Sequence, residues 1–506
     1  MSAADGLTRR TLIGAGTLIL AAPAYATTAP IARTAAGNFR GTTTAGIHSF
    51  RGVRYGRAAR FQPPTAEANP GQTIPATAFG PIAPQSGNRD LPQSEDCLFL
   101  NVWTPALDHG ARKPVMLYIH GGAYANGTST DPLNDGAALA AHDVVVVTVN
   151  HRLNALGYLY LARLDPRFPD SGNAGQLDLV LALEWVRSNI AAFGGDSSNI
   201  TVFGQSGGGA KIATLMGTPA ASGLFHRAIT MSGQQVTASG PLNAAARARA
   251  FLAKLATDPV TAPTAAIIAA LTATDPILGG NVYFGPVLDM RSLVRHPFWP
   301  DANPQSNAIP MLLGNTRDEA RAFLPPDSPR LATLGWDNLA AVMAPELRVD
   351  IHPEWLTAQY RARHPGWSPR EILWDAVTAG RSWRGQIEEA QARAAANAPT
   401  WVYQLDFADP ARPDAGAMHT MDIALAFGTT AHPSAPTGNG AAAQSLSRRM
   451  MNDFTKFART GTLPWPQYRT DHRTTMIYDT VPRPENDPRK WQRELFARVP
   501  YIQPGS

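Results

Sequence analysis

The sequence has very little cysteine, few charged residues and no long apolar run after its first 26 residues. Cys97 is the only cysteine among 506 residues, which excludes an intrachain disulfide and any zinc or iron-sulfur site built from several cysteines. Charged residues make up 16% of the chain, and the 44 basic and 39 acidic residues are scattered along it. Because there is no lysine or arginine tract, the net charge of +5 does not predict a nucleic-acid partner.

The first 26 residues are predicted to be an export signal. Arg9 and Arg10 precede a short apolar stretch from Leu12 to Ala22, and Ala24-Tyr25-Ala26 has the small residues of a cleavage site. This arrangement is typical of a twin-arginine signal peptide. An uncleaved anchor is the alternative, but the stretch is too short to span a bilayer. We therefore expect a periplasmic or secreted protein without stable membrane insertion.

From about residue 38 onward, strand-like apolar runs alternate with helical patterns, which is typical of an α/β protein with a mostly parallel central sheet and helices on both faces. Two segments rich in alanine and arginine, 242–273 and 369–397, are predicted helical insertions that form an active-site cleft, although they could simply cover the sheet. No linker is visible, so 27–506 is predicted to be one domain. The predicted strands are 115–119, 144–149, 200–203, 228–231, 311–313 and 401–405.

The segment Gly204-Gln205-Ser206-Gly207-Gly208 lies between a β-branched and aromatic run and an apolar helical stretch. A serine at the apex of a strand, sharp turn and helix is a nucleophile elbow, in which small neighbours let the turn present the hydroxyl to a cleft. Ser206 is therefore the predicted nucleophile. A glycine-rich loop without catalytic function is the alternative for this motif taken alone.

A serine nucleophile needs amide donors for an oxyanion, a base and an orienting carboxylate. His120-Gly121-Gly122-Ala123-Tyr124 follows the strand 115–119, and Gly121, Gly122 and Gly207 are the predicted donors. The acid is sought in 312–319, which ends in Asp318 and Glu319, and the base is His419. Singly, the acids could begin a helix and the histidine could be packed in a loop. The order serine, acid, histidine is that of α/β-hydrolases.

The chain resembles the type B carboxylesterase family, which includes para-nitrobenzyl esterase, carboxylesterases and cholinesterases. The resemblance runs from Phe50-Arg51-Gly52-Val53 to Trp465-Pro466-Gln467-Tyr468 and includes the segment 94–103, SEDCLFLNVW. It implies an α/β-hydrolase fold, Ser206 as nucleophile, Glu319 as acid, His419 as base, and Gly121, Gly122 and Gly207 as oxyanion donors. It further implies a structural ion pair between Arg152 and Asp178 and a supporting role for Ser232.

The sequence departs from the family pattern at the elbow. Gln205 replaces the usual glutamate, which removes a negative charge beside the nucleophile, so we expect no preference for cationic esters. Gly279 to Phe284 has two glycines where acyl-pocket residues are expected, which predicts either a wider pocket or a flexible loop. Tyr124, Gln205, Phe284 and Phe323 are the predicted substrate-binding residues, although the aromatic ones could belong to the core.

These observations predict a serine hydrolase that cleaves small-molecule carboxylic esters through an acyl-enzyme, without metal or organic cofactor. The alternatives are a non-catalytic cholinesterase-like binding protein and an amide or carbamate hydrolase with the same three residues. The acyl and alcohol preference and the oligomeric state are not predicted.

Overall fold

The computed structural model describes residues 29–87, 90–503 and 505. The predicted export signal, 1–26, therefore lies outside the described residues. The strands are β1 Ile31–Thr34, β2 Gly37–Arg40, β3 Thr42–Thr44, β4 Ile47–Arg54, β5 Gly56–Arg57, β6 Thr65–Ala66, β7 Thr73–Pro75, β8 Phe99–Thr104, β9 Lys113–Ile119, β10 Val145–Val149, β11 Gly195–Gln205, β12 Arg227–Met231, β13 Met311–Thr316, β14 Thr400–Leu405, β15 Thr474–Tyr478 and β16 Arg483–Asn486.

Helices connect these strands and form the two insertions. They are α1 Ala137–Ala140, α2 Asn154–Tyr158, α3 Ala174–Asn189, α4 Gly207–Leu215, α5 Pro241–Leu255, α6 Thr264–Ala270, α7 Ala320–Phe323, α8 Leu339–Met343, α9 Pro353–Arg363, α10 Pro369–Thr378, α11 Arg384–Ala395, α12 Met421–Phe427, α13 Ala441–Thr460 and α14 Lys490–Phe496. A π-helical turn, Ala379–Trp383, joins α10 to α11.

The central sheet has the spatial order β16-β15-β14-β13-β12-β11-β9-β10-β8-β4-β3. All pairings from β10 to β15 are parallel, whereas the strands at both edges pair antiparallel. Because the carboxyl ends of parallel strands meet at one edge of a sheet, the loops after β9, β11, β12, β13 and β14 can share one site. This is the α/β-hydrolase fold predicted from the sequence, with a mostly parallel sheet.

Alternating side chains of the central strands enter two different cores. On β9, Val115, Leu117 and Ile119 pack into one hydrophobic cluster, while Met116 and Tyr118 pack into another. Since successive side chains of a strand point to opposite faces, the two clusters lie on the two faces of the sheet. A strand covered on both faces is apolar throughout, which is why the central strands could be recognised as apolar runs in the sequence.

Each predicted strand of the sheet is present, with boundaries shifted by a few residues. The largest shift is at β11, which begins five residues before the predicted 200 and continues to Gln205. The insertion predicted over 242–273 is formed by α5 and α6, and that over 369–397 by α10, the π-helical turn and α11. Among the described residues, no helix combines the length and apolarity needed to cross a membrane.

Candidate active site

Ser206 lies at a sharp turn between β11 and α4. Its backbone has φ 55° and ψ −124°, a strained conformation for a residue with a side chain, and its side chain is half-buried. The turn is tight because α4 begins directly against β9: a Cβ added to Gly208 would lie 1.9 Å from the carbonyl oxygen of Ile119. Glycine at this position therefore permits the close approach that the elbow requires.

Three other residues around the same site also have a left-handed backbone. The φ values are 51° at Ala123, 52° at Ser232 and 76° at Thr420. Such conformations are uncommon for residues other than glycine, most of all for a β-branched threonine. Their concentration beside Ser206 indicates a site whose backbone geometry is imposed by the surrounding fold.

Glu319 and His419 come together although they are 100 residues apart in the sequence. Glu319 follows β13 and is fully buried, and His419 precedes α12 and is 6% exposed. Oε2 of the carboxylate contacts Nδ1 of the ring in a short hydrogen bond. This contact directs the Nδ1 proton to the carboxylate and leaves Nε2 free to accept a proton.

The other carboxylate oxygen of Glu319 accepts three hydrogen bonds. The donors are the Ser232 hydroxyl at 2.5 Å, the backbone N–H of Thr316 at 2.8 Å and the Asn315 side chain at 3.2 Å. Burial by itself would raise the pKa of Glu319, but the His419 charge and these hydrogen bonds outweigh it and lower the pKa below its usual range. The site therefore holds Glu319 as a carboxylate.

Asp318, the other acid considered from the sequence, has a different role. Its Oδ2 accepts the backbone N–H of Ala417 at 3.0 Å, which anchors the loop that carries His419. Of the two neighbouring acids, only Glu319 contacts the histidine among the described residues.

Ser206 and His419 line the same cavity, which has a volume of about 440 Å³. The Ser206 hydroxyl forms no hydrogen bond with any described residue, and Nε2 of His419 instead lies 3.3 Å from Nε2 of Gln205. With Nδ1 protonated, the Gln205 amide donates to the ring nitrogen that a serine proton would reach. Hydrogen bonds between catalytic groups are often long without substrate and tighten when it binds.

In the loop after β9, the backbone N–H groups of Gly122 and Ala123 have no hydrogen-bond acceptor among the described residues. The carbonyl of Gly121 contacts Nδ1 of His120 at 2.9 Å, and the carbonyl of Gly122 accepts from the backbone N–H groups of Ala125 and Asn126 at 3.1 and 3.0 Å. Because the N–H of a trans peptide points opposite to its carbonyl, the amides of Gly122 and Ala123 point away from these contacts. Both residues line the cavity, together with Gly207.

Gly121, predicted as an oxyanion donor, does not line this cavity. It faces a smaller neighbouring cavity together with His120 and Thr128, whereas Ala123 takes the place in the main cavity. The glycine content of such a turn does not reveal which of its residues line the cavity.

Three of the four predicted substrate-binding residues, Tyr124, Gln205 and Phe323, line the cavity. The fourth, Phe284, does not: it is 7% exposed and packs edge-on against Phe251, with ring centres 5.5 Å apart. Its neighbour Tyr283 lines the cavity instead. The segment was correctly located, but the side chains of adjacent residues point in different directions.

The ion pair between Arg152 and Asp178 is confirmed, with Nη2 and Oδ1 2.7 Å apart and both side chains almost fully buried. Arg152 also donates to the carbonyls of Ala59 and Gln62. The pair thus connects three segments of the chain and does not line the main cavity. Cys97 is fully buried, as expected for a small apolar side chain.

Sequence reasoning missed the two arginines of the cavity, Arg348 and Arg381, and the buried Lys211, which bonds to the carbonyl of the lining residue Ala123. Arg381 belongs to the insertion 369–397 and Arg348 to the segment between α8 and α9, and the packing of neither segment can be predicted from residue spacing. Lys211 did carry a signal: it is the one charged residue in the apolar stretch of α4, where a lysine is rarely fully buried.

The geometry described above is that of an α/β-hydrolase with a serine, a histidine and a carboxylate at one cavity. A model of the carboxylesterase family matches residues 28–495. Para-nitrobenzyl esterase of Bacillus subtilis is 33% identical over 496 residues, covering 92% of this chain and 98% of that protein. A probable N-octanoylanthranilate hydrolase of Rhodococcus erythropolis is 32% identical, covering 86% of this chain and 95% of its own length.

Comparison with solved structures indicates the same family as comparison with these sequences. The carboxylesterase of Geobacillus stearothermophilus superimposes with a TM-score of 0.82 at 33% identity, covering 92% of this chain and 99% of that chain. The chain belongs to the carboxylesterase family, as its sequence motifs predicted. It is a carboxylic ester hydrolase.

Proposed function

We propose that the protein hydrolyses small-molecule carboxylic esters through an acyl-enzyme formed on Ser206. The observation that carries this assignment is the contact between Glu319 and His419 at a cavity that also contains the strained elbow of Ser206. An oriented imidazole beside a serine on a nucleophile elbow is the arrangement that acyl transfer requires.

Nε2 of His419 accepts the hydroxyl proton as Ser206 Oγ attacks the ester carbonyl, and Glu319 stabilises the imidazolium that forms. The Ser206 hydroxyl must first take the place of the Gln205 amide at Nε2. His419 then gives its proton to the leaving alcohol, and a water molecule attacks the acyl group by the same steps in reverse order.

The oxyanion is assigned to the amides of Gly122, Ala123 and Gly207. Gly122 and Ala123 have no other hydrogen-bond acceptor among the described residues, and Gly207 begins α4, where the first N–H groups of a helix lack an acceptor within it. Donors held in place before reaction stabilise developing charge without reorganisation. This assignment replaces Gly121 with Ala123.

Ser232 is the competing nucleophile, because it also lines the cavity and also has a left-handed backbone. Its hydroxyl already donates to Glu319, so it is a positioning residue in this proposal. Ser206, in contrast, has a hydroxyl without a partner in the described structure and stands at the start of a helix.

The test compares Ser206→Ala with Ser232→Ala. With 4-nitrophenyl acetate, Ser206→Ala is expected to lose at least about 10⁴-fold in kcat/KM while keeping its unfolding temperature, since removal of a nucleophile abolishes the covalent route. A fluorophosphonate should label the wild type and Ser232→Ala with one equivalent, and mass spectrometry of the peptides should place the label on Ser206. Retained turnover in Ser206→Ala refutes the assignment, and the absence of both turnover and labelling in the wild type favours a binding protein.

The substrates to be tested should include an N-acyl arylamine as well as esters, because one relative is named a probable N-octanoylanthranilate hydrolase. Esterase activity is expected to exceed cleavage of the matched amide, because an amine is a poorer leaving group than an alcohol. Comparison of acyl chain lengths with and without an oil–water interface separates a preference for soluble esters from interfacial activation.

We further propose that residues 1–26 direct export by the twin-arginine route and are removed, leaving one domain from 27 to 506. The support is the sequence Thr8-Arg9-Arg10-Thr11 before an apolar stretch that is too short for a membrane anchor. Exported protein should begin at Thr27 by N-terminal sequencing, and replacing both arginines with lysine should retain it in the cytoplasm. Export of the double variant at the wild-type level contradicts the proposal.

A further inference from the structure

The charged side chains that line the cavity of Ser206 are of one sign, positive. Arg348 and Arg381 belong to its wall, and no aspartate or glutamate is among the described residues that line it. Glu319 is buried behind His419 and is already bonded to the ring. A ligand in the cavity therefore meets two cations and no exposed carboxylate.

Arg348 has no partner of its own. It forms no ion pair and no hydrogen bond with any described residue, although its side chain is only partly exposed. Its backbone has φ 52°, a conformation that its surroundings impose. A partly buried guanidinium without a counter-ion has unused donors that an anion can satisfy.

The positive charge of Arg381 is partly neutralised by a carboxylate that lies outside the cavity. Its Nη1 lies 3.0 Å from Oε2 of Glu346, whose other oxygen lies 2.9 Å from Arg330. Neither Glu346 nor Arg330 lines the cavity. One carboxylate is thus divided between two arginines, and burial together with the nearby charge of Arg348 lowers the pKa of Arg381. The guanidinium stays protonated but gains from a further anion.

Arg381 is also positioned beside the reacting groups. Its guanidinium carbon lies 4.3 Å from the centre of the Phe323 ring, and that ring lies 5.0 Å from the ring of His419. A single aromatic ring therefore separates Arg381 from the imidazole. Arg381 and Ser382, both in the cavity wall, belong to the π-helical turn Ala379–Trp383. Such turns are rare and are frequently found at functional sites.

We propose that Arg348 and Arg381 form an anion subsite, and that the preferred substrates are esters carrying a second, negatively charged group such as a free carboxylate. Tyr283 and Phe323 also line the cavity, and the Phe323 ring contacts both Arg381 and His419. Planar guanidinium groups bind carboxylates in a bidentate geometry that an amide or an ammonium group cannot reproduce. This inference rests on the proposed function, because it concerns the same cavity.

The experiment uses matched esters on each side of the scissile bond. On the alcohol side, 4-acetoxybenzoate is compared with 4-acetoxybenzamide and the (4-acetoxyphenyl)trimethylammonium ion, and on the acyl side, ethyl hydrogen adipate is compared with ethyl adipamate. The readout is the ratio of kcat/KM for the anionic and the uncharged ester in each enzyme. Intrinsic reactivity of the esters cancels when this ratio is compared between variants.

In at least one series, Arg348→Met and Arg381→Met should each lower the ratio by about tenfold, since each removes charge-assisted hydrogen bonds to the anion. Arg187→Met is the control, because it removes one positive charge from an exposed position on α3 that does not line the cavity. Its ratio should stay within about twofold of the wild type. Equal ratios in wild type and both cavity variants overturn the proposal, as does an equal decrease in the control.

A second measurement needs only the wild type. Benzoate should inhibit hydrolysis of an uncharged ester competitively at a concentration at least about fivefold lower than benzamide, and 0.5 M salt should weaken the difference. Benzamide inhibiting as well as benzoate contradicts the anion subsite. If the wild type cleaves none of the esters, charged or uncharged, the proposed function fails; if it cleaves them without charge preference, only this inference fails.

Discussion

The ammonium group of Lys211 donates a hydrogen bond to the carbonyl oxygen of Ala123 at 2.6 Å. Lys211 is on α4, the helix that follows Ser206, and Ala123 is in the loop after β9 that supplies the assigned oxyanion donors. The hydrogen bond therefore connects α4, which follows the nucleophile, to the loop that carries Gly122 and Ala123. Lys211 is fully buried, and among the described residues no carboxylate pairs with it.

Burial lowers the pKa of Lys211 to about 7 in the folded protein. The unfolded chain, with an ordinary lysine, binds more protons than the folded chain between about pH 7 and pH 10. Stability should therefore rise with pH across this window relative to Lys211→Met, by up to about 1.4 kcal/mol per pH unit. Denaturant unfolding at pH 7, 8 and 9 measures this slope.

The control for Lys211 is Lys254→Met, a substitution at an exposed lysine on α5. Its unfolding free energy should follow that of the wild type at all three pH values. Parallel curves for wild type and Lys211→Met would show that the buried ammonium does not titrate in this range.

Removal of the Ser232 hydroxyl should weaken catalysis without abolishing it. Ser232→Ala removes one donor from the Glu319 carboxylate, and a hydrogen bond to a charged group contributes about 1.5 kcal/mol or more, which corresponds to a decrease of about tenfold in kcat. Because that hydrogen bond helps to lower the pKa of Glu319, the variant should lose activity at a higher pH than the wild type on acidification. Steady-state kinetics from pH 4 to 8 measure both effects, and an unchanged acid limb would contradict this role.

Loss of the ion pair of Arg152 and Asp178 should lower the unfolding free energy and have little effect on the catalytic steps. Asp178→Asn leaves a buried guanidinium without its counter-ion, which should lower the unfolding free energy by about 3–5 kcal/mol. The matched control is Asp471→Asn at the exposed pair of Arg469 and Asp471, where the change should be under about 1 kcal/mol. Thermal unfolding compares the two variants, and equal losses would remove the distinction between buried and exposed pairs.

The elbow was predictable because its signals are local. The β-branched run before Ser206, the glycines around it and the apolar stretch after it each act within one strand, one turn or one helix. The central strands were predictable for the same reason, since burial on both faces makes them continuously apolar. Their ends were less predictable, as β11 shows, because its first five residues are glycine and polar residues that extend the strand without an apolar signal.

Which of two neighbouring residues reaches the active site could not be predicted from the local sequence. Asp318 and Glu319 are both acids at the end of β13, and only the packing of the His419 loop determines which one contacts the ring. Tyr283 and Phe284 are both aromatic, and only the path of their loop determines which one lines the cavity. Family resemblance resolved the first pair in the sequence analysis, and nothing resolved the second.

The sequence by itself determined the α/β architecture, the elbow and the set of residues available for acyl transfer, because hydrophobic period and turn chemistry depend on residues close in the chain. Only the tertiary structure decided which residues of the loop after β9 and which cations line the cavity. Those properties depend on hydrogen bonds and packing between segments far apart in sequence, such as the bond from Lys211 to the carbonyl of Ala123 and the packing of the two segments that carry Arg348 and Arg381. Long-range contacts of this kind leave no periodic trace in the chain.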